Sequence, residues 1–346
     1  MYIDCHTHCR DEEWKEKETI EHALKVAKDS GLSAIFDMPN VPNPVTTRKR
    51  VLERIALAET ANSEVFFGIY IGLTSDPKQI QDAVKTYREF FPKPGDKVGV
   101  IGLKMFAGES VGNLSVSNPQ DQLRVYERLG ELSYEGVLAV HCEKESEMNS
   151  ELWDSSKPIT HCESRPELSE VSSVVDQLNF AIHHKYAGHL HIVHVSTLES
   201  VNLVNYAREE LKISCGVTPH HLLLDNKFMN SSYGALYKVN PPLRDKETQE
   251  GLLACFLQGQ IDILESDHAP HTFKDKTEKY MSGIPGLASW PDFIDILRGR
   301  GASQELIDNV AYDKVNKIFK THIPRLKFPS KSHVQDYCFN AYEGVK

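Results

Sequence analysis

Two histidines stand two residues apart near the start of the sequence, in Asp4-Cys5-His6-Thr7-His8-Cys9-Arg10. They follow a short apolar pair, Tyr2-Ile3, that reads as part of a β-strand. Side chains two apart on a strand point to one side, so both imidazoles can face one point at its end. Two neutral imidazoles converging on a point are what a divalent cation such as zinc requires. A strand that merely alternates histidine would look the same, so the pair takes its meaning from partners elsewhere.

Such partners recur at the ends of other apolar runs. Lys104 closes Val98-Gly-Val-Ile-Gly-Leu, His141 closes Gly136-Val-Leu-Ala-Val, His194 closes His189-Leu-His-Ile-Val, and Asp267 follows Ile263-Leu-Glu-Ser. Each has an ordinary alternative: a hydrogen-bonded histidine, a lysine reaching solvent, an aspartate capping a helix. Their joint placement is what independent chance would rarely produce. A lysine in a polar, imidazole-lined pocket has a lowered pKa, and its neutral amine can add carbon dioxide. The carbamate so formed is an anionic ligand able to bridge two metal ions. A second His-Cys-Glu tripeptide, at His161, falls in a loop between Pro158 and Pro166, which makes His141 the better ligand.

The elements that must position these groups alternate along the chain. Strands are expected from Tyr2 toward the His pair and at 32–38, 64–72, 98–105, 136–140, 189–195, 213–217 and 261–265. Amphipathic helices are expected between them, at 16–30, 48–62, 77–90, 118–133, 167–186, 198–211 and 246–257. The remainder from 286 reads as mostly helical with a polar tail. Eight such repeats are the number that closes a (β/α)8 TIM barrel of the metal-dependent hydrolase type, whose active site lies at the C-terminal strand ends. An open doubly wound sheet is the rival, but no G-x-G-x-x-G follows the first strand. The expectation is one barrel domain over 1–346, with a short tail from about 325.

Composition narrows the function classes. The chain has 346 residues, 40% apolar and 25% charged, and a formal net charge of −10. That balance suits a soluble protein with a large core and argues against a nucleic-acid partner. The sequence leaves no room for a signal peptide before the His pair, and no apolar stretch approaches the roughly eighteen residues of a membrane span. Seven scattered cysteines suit reduced thiols in the cytoplasm rather than a disulfide framework, and all seven are taken as structural or neutral.

Asp4-x-His6-x-His8-x-Arg10, Met38-Pro-Asn40, Gly102-Leu-Lys104, His141-Cys-Glu143, His191-Ile-Val-His194, Asn240-Pro-Pro-Leu-Arg244 and Ser266-Asp-His-Ala-Pro-His271 occur in this order. Together they resemble the dihydroorotases of the amidohydrolase superfamily, over residues 2 to about 290. The resemblance implies two zinc ions per chain, one held by His6, His8 and Asp267 and one by His141 and His194. Carboxylated Lys104 and a hydroxide would bridge them. It further implies that Arg10, Asn40 and His271 hold a substrate carboxylate, and that Asn240 and the backbone at Ser282 and Gly283 meet the substrate ring. A guanidinium fork does fit a carboxylate bidentately. The activity implied is reversible interconversion of (S)-dihydroorotate and N-carbamoyl-L-aspartate in pyrimidine synthesis, with Asp267 carrying the proton.

The sequence also departs from that pattern. The strands that usually flank the barrel as a small β-sandwich are expected to be absent or vestigial, and the family's R-E-P-G is here Arg10-Asp11-Glu12-Glu13. A homodimer or a pyrimidine-pathway partner enzyme is the association expected. The enzymatic alternative is an allantoinase or hydantoinase, which would not need Arg10 and Asn40 together. The other is a non-catalytic dihydroorotase-like subunit, which loss of ligands would favour, and none is lost. Residues 106–117, rich in glycine and serine, are a candidate flap over the substrate.

Overall fold

The computed structural model describes residues 1–328 and 333–345. Eight parallel strands follow one another in chain order: β1 (Tyr2–Thr7), β2 (Leu32–Asp37), β3 (Phe66–Gly72), β4 (Val98–Ala107), β5 (Val137–Cys142), β6 (His189–Ile192), β7 (Ile213–Val217) and β8 (Ile263–Leu264). Almost every strand residue is buried, as strands flanked by helices on one face and a packed interior on the other require. The sheet curls until its first and last strands approach. There His8 N–H donates to the carbonyl of His268 at 2.8 Å, completing a nearly closed (β/α)8 barrel.

Local chemistry sets where each element begins. The first helix, α1, runs Ile20–Asp29 rather than 16–30, because the Thr19 hydroxyl accepts from His22 N–H and caps it there. The residues before it fold back instead, with Asp11 accepting from Ile20 N–H at 2.8 Å. β8 is shorter than the expected 261–265. The Asp262 carboxylate takes Cys215 N–H at 3.1 Å alongside the ladder, and beyond Leu264 the chain turns to a left-handed Asp267 (φ 46°). β4 runs two residues longer than expected, through Phe106 and Ala107.

The core has two parts. One fills the space between the strands and the outer helices. The other fills the barrel, where Ile3, Ala34, Phe66 and Val137, all near strand starts, pack with Val315, Phe319 and Ile323. Phe319 lies edge-on to Phe36 at 5.1 Å, so the helix Lys314–Phe319 plugs the barrel's lower end. The polar tail expected after Pro324 returns to the body of the protein: Ala341 and Tyr342 are buried, and Tyr337 donates to Glu18 at 2.8 Å. Among the described residues, no helix is long and apolar enough to cross a membrane.

One buried ion pair ties this frame to the upper rim. Arg54, on the helix Arg48–Thr60, is fully buried and donates to Asp37 at 2.6 Å and to the main-chain oxygen of Arg10 at 2.9 Å. Arg54→Met would leave the Asp37 carboxylate buried without its cation. The expected loss is about 3–5 kcal/mol in a urea titration; a change under about 1 kcal/mol would show that the pair is dispensable.

Candidate metal centre and active site

The strand ends deliver the expected groups to one place. His6 ends on β1 and His8 lies just beyond it, and their Nε2 atoms sit 3.3 and 3.1 Å from the same Asp267 oxygen. These three side chains place their ligand atoms within 4.8 Å of one another. From β5 and the end of β6, His141 Nδ1 and His194 Nε2 approach to 3.1 Å. Two imidazole nitrogens this close either share a proton or share a cation. The rings of His6 and His194 are 5.0 Å apart, so the two clusters adjoin.

Burial decides the charge states. It pushes His6 down to about 4 and holds His8 and His194 well below the usual histidine range, leaving neutral rings with free lone pairs. Burial likewise holds the Asp267 carboxyl above its ordinary value. Lys104, on β4, is fully buried, and burial brings it down to about 8. Burial is the main cause of the depressed His6, His8 and His194 values, and the Lys104 charge adds to each. Among the described residues, Lys104 Nζ has no hydrogen-bond partner, nor do Nδ1 of His6, His8 and His194. A buried donor set with orphaned polar atoms and neutral imidazoles fits divalent cations, and Lys104 fits a ligand made after folding.

Above these groups is a cavity of about 450 Å³. His6, His8, His141, His194 and Asp267 form its floor, and Lys104 lies beneath the floor rather than on the lining. Its wall holds Arg10, Asn40, Asn240, His271, Ser282 and Gly283. Arg10 Nη2 is 3.3 Å from His271 Nε2, and Asn40 Oδ1 has no partner. The backbone at Ser282 is pinned by His271 Nε2 at 3.0 Å. Gly283 has φ 144°, and a Cβ there would meet the Ala269 carbonyl at 2.5 Å, so only glycine fits. The Asn240 oxygen takes Ser282 Oγ–H at 3.1 Å and His161 Nε2–H at 3.0 Å, which turns the amide NH2 group to the cavity. His161 thus braces Asn240 and is not with the metal-ligand set. Glu109, Ser110 and Val111 of the 106–117 segment also line the cavity.

Several groups here went unassigned in the sequence. Glu143 accepts from His141 Nε2–H at 3.0 Å and is gripped by both arms of Arg165 at 3.0 and 2.9 Å. Burial opposes its ionisation, but Arg165 and His141 outweigh that and hold the carboxyl well below the usual range. Lys238 reaches the cavity wall and donates to Ser282 Oγ at 3.0 Å. The His-Cys-Glu tripeptide was the only visible signal for Glu143; its partner Arg165 lies 22 residues away.

A cation in this centre binds the folded chain only. Zinc at a hundredfold over its dissociation constant should add about 2.7 kcal/mol to stability, and chelation should remove it. Thermal melts with zinc and with chelator measure this; identical melting curves would contradict the metal-site geometry.

No family model matches the chain. It is 34% identical over 288 residues to a dihydroorotase of Methanothermobacter thermautotrophicus, covering 82% of this chain and 60% of that one. It is 33% identical over 299 residues to a dihydroorotase of Listeria monocytogenes, covering 83% and 64%. The chain therefore spans less than two thirds of the length of these relatives. Among solved structures, L-hydantoinase from Arthrobacter aurescens superposes with a TM-score of 0.80 at 23% identity, over 92% of this chain and 70% of that one. A dihydroorotase from Saccharomyces cerevisiae, solved with 5-fluoroorotic acid, gives 0.73 at 18%, over 93% and 84%. The structural likeness supports the fold, and the sequence likeness is the narrower finding: homologues named dihydroorotase match 82–83% of this chain.

Proposed function

We propose that this chain interconverts (S)-dihydroorotate and N-carbamoyl-L-aspartate, using two zinc ions. The observation that carries the reading is a guanidinium fork, Arg10, in the same 450 Å³ cavity as the histidine–aspartate cluster. A cyclic amide bearing a carboxylate needs both. A hydantoin without that carboxylate would leave Arg10, Asn40 and His271 without their partner.

His6, His8 and Asp267 would hold one ion, His141 and His194 the other, and Lys104, carboxylated on Nζ, would lie between. Bound there, the ions would polarise the ring carbonyl and make water a stronger nucleophile at neutral pH. The remaining work falls to the chain. Arg10, Asn40 and His271 orient the substrate through its carboxylate, and the Asn240 amide NH2 faces a ring carbonyl oxygen. Asp267 accepts a proton from the attacking water as its oxygen joins the carbonyl carbon. It returns that proton to the ring nitrogen as the C–N bond breaks, giving a ureido NH2 and a new carboxyl group, which loses water's second proton to solvent to become a carboxylate. Ring closure reverses each step. Glu109 to Val111, at the cavity's edge, are placed to exclude bulk water as a flap.

The primary test is turnover by the purified, zinc-loaded chain: dihydroorotate should be hydrolysed and hydantoin should not. Preference for hydantoin would overturn the substrate assignment. Arg10→Lys keeps the charge and loses the fork, so kcat/KM for dihydroorotate should fall more than tenfold, in line with about 2–5 kcal/mol for a buried charge pair. Unchanged turnover would release Arg10 from the carboxylate. Lys104→Ala should lose zinc and nearly all activity, with partial recovery in short-chain carboxylic acids. Full zinc and normal rates in that variant would remove the bridging role.

A further inference from the structure

Glu265 sits directly beneath the metal centre, fully buried at the end of β8, and the reaction just described gives it no task. Its side chain leans across β7 into the space left by Gly216: a Cβ on residue 216 would come within 2.2 Å of Glu265 Oε1. From there it reaches two other strands. Oε1 accepts the main-chain N–H of His194 at 2.6 Å. Oε2 faces Cys5 Sγ–H at 3.3 Å, His191 Nε2 at 3.4 Å and His6 Nδ1 at 3.7 Å. With Cys5 Sγ–H donating to Oε2 and His194 N–H to Oε1, a carboxylate can accept from both imidazoles as well, whereas an amide NH2 in place of Oε2 would face the Cys5 donor. His6 Nδ1 has no closer partner.

The tautomer follows. His6 turns Nε2 to Asp267 and the metal-ligand set, so its proton belongs on Nδ1, the side of Glu265. A carboxylate behind the distal nitrogen of a metal-binding histidine fixes the ring and raises its basicity, and removing it typically weakens metal binding about 10–100-fold. The same Glu265 also anchors the backbone of His194, whose φ of 37° depends on being held.

We infer that Glu265 is the positioning residue of the metal centre, setting the tautomer of His6 and the backbone of His194 from one buried carboxylate. The inference rests on the metal-centre reading above. Cys5, His191 and Glu265 also lie close enough to resemble a metal cage of their own. The geometry favours the supporting role, since one Glu265 oxygen is already committed to His194 N–H.

Two substitutions in the full-length protein separate charge from placement. Glu265→Gln keeps the shape and puts an NH2 among donors. Gly216→Ala keeps the carboxylate but pushes it aside. Zinc affinity is read by competition with a chromophoric chelator, stoichiometry by elemental analysis, and folding by melting of the metal-free proteins. Wild type should bind two equivalents per chain. Each variant should hold the His6 site about 10–100-fold more weakly, while metal-free melting of Gly216→Ala stays near wild type. Wild-type affinity in both variants would overturn the role of Glu265 and leave the centre standing. A third equivalent in wild type, lost in Glu265→Gln, would reassign the cluster as a metal cage and also overturn it. Absence of zinc from wild type would sink the centre itself.

Discussion

A buried lysine with nothing to donate to is the constraint on which this structure turns. Lys104 is fully buried on β4, and an unpaired ammonium in such a place costs several kcal/mol unless it sheds its charge. The fold brings negative potential rather than a partner. Glu265 and Asp267 both raise the Lys104 pKa against the stronger pull of desolvation. Burial keeps the rings of His6, His8 and His194 neutral, and any charge on Lys104 works in the same direction. Such a cluster is a poor way to stabilise a barrel and a good way to keep lone pairs available.

Aim matters as much as identity in this cluster, and the backbone bears the cost. Arg10, His194 and Asp267 have φ of 40°, 37° and 46°, left-handed values that side-chain-bearing residues rarely adopt. All three come just after a barrel strand, where the chain must turn while pointing a side chain inward. Strain of about 1–3 kcal/mol per residue persists only where surroundings enforce it. The enforcement is visible: Arg54 holds the Arg10 carbonyl, Glu265 holds His194 N–H, and Asp4 holds Ser266 N–H at 3.0 Å, one residue before Asp267.

Much of this was legible in the sequence, for identifiable reasons. The barrel showed because parallel strands buried on both faces read as apolar runs at regular spacing, and the convergence of His6, His8, His141, His194 and Asp267 showed because they follow those runs. Boundaries were less legible. A Thr19 cap and an Asp11 side chain start α1 four residues later than expected, and Asp262 replaces part of the β8 ladder. Supporting groups stayed hidden, since Glu143 needs Arg165 and Glu265 needs Gly216, pairings made by the fold. The departure from the family at Asp11-Glu12-Glu13 acquires a local explanation. Asp11 serves the entry to α1, and Glu12 meets Arg50 at 2.7 Å, so this rim segment is held by ion pairs. The docked tail was not legible either, because the polar sequence after Pro324 gives little hint that Tyr342 is buried against Phe293.

The central claim is that two cations occupy the floor of the cavity with a carboxylated Lys104 between them. An anomalous-difference map from zinc-loaded crystals addresses it most directly. The account predicts two peaks, one among His6, His8 and Asp267 and one beside His141 and His194, with density for a carbamate extending from Lys104 Nζ between them. A single peak, or two peaks with an unmodified lysine in an active preparation, would contradict it.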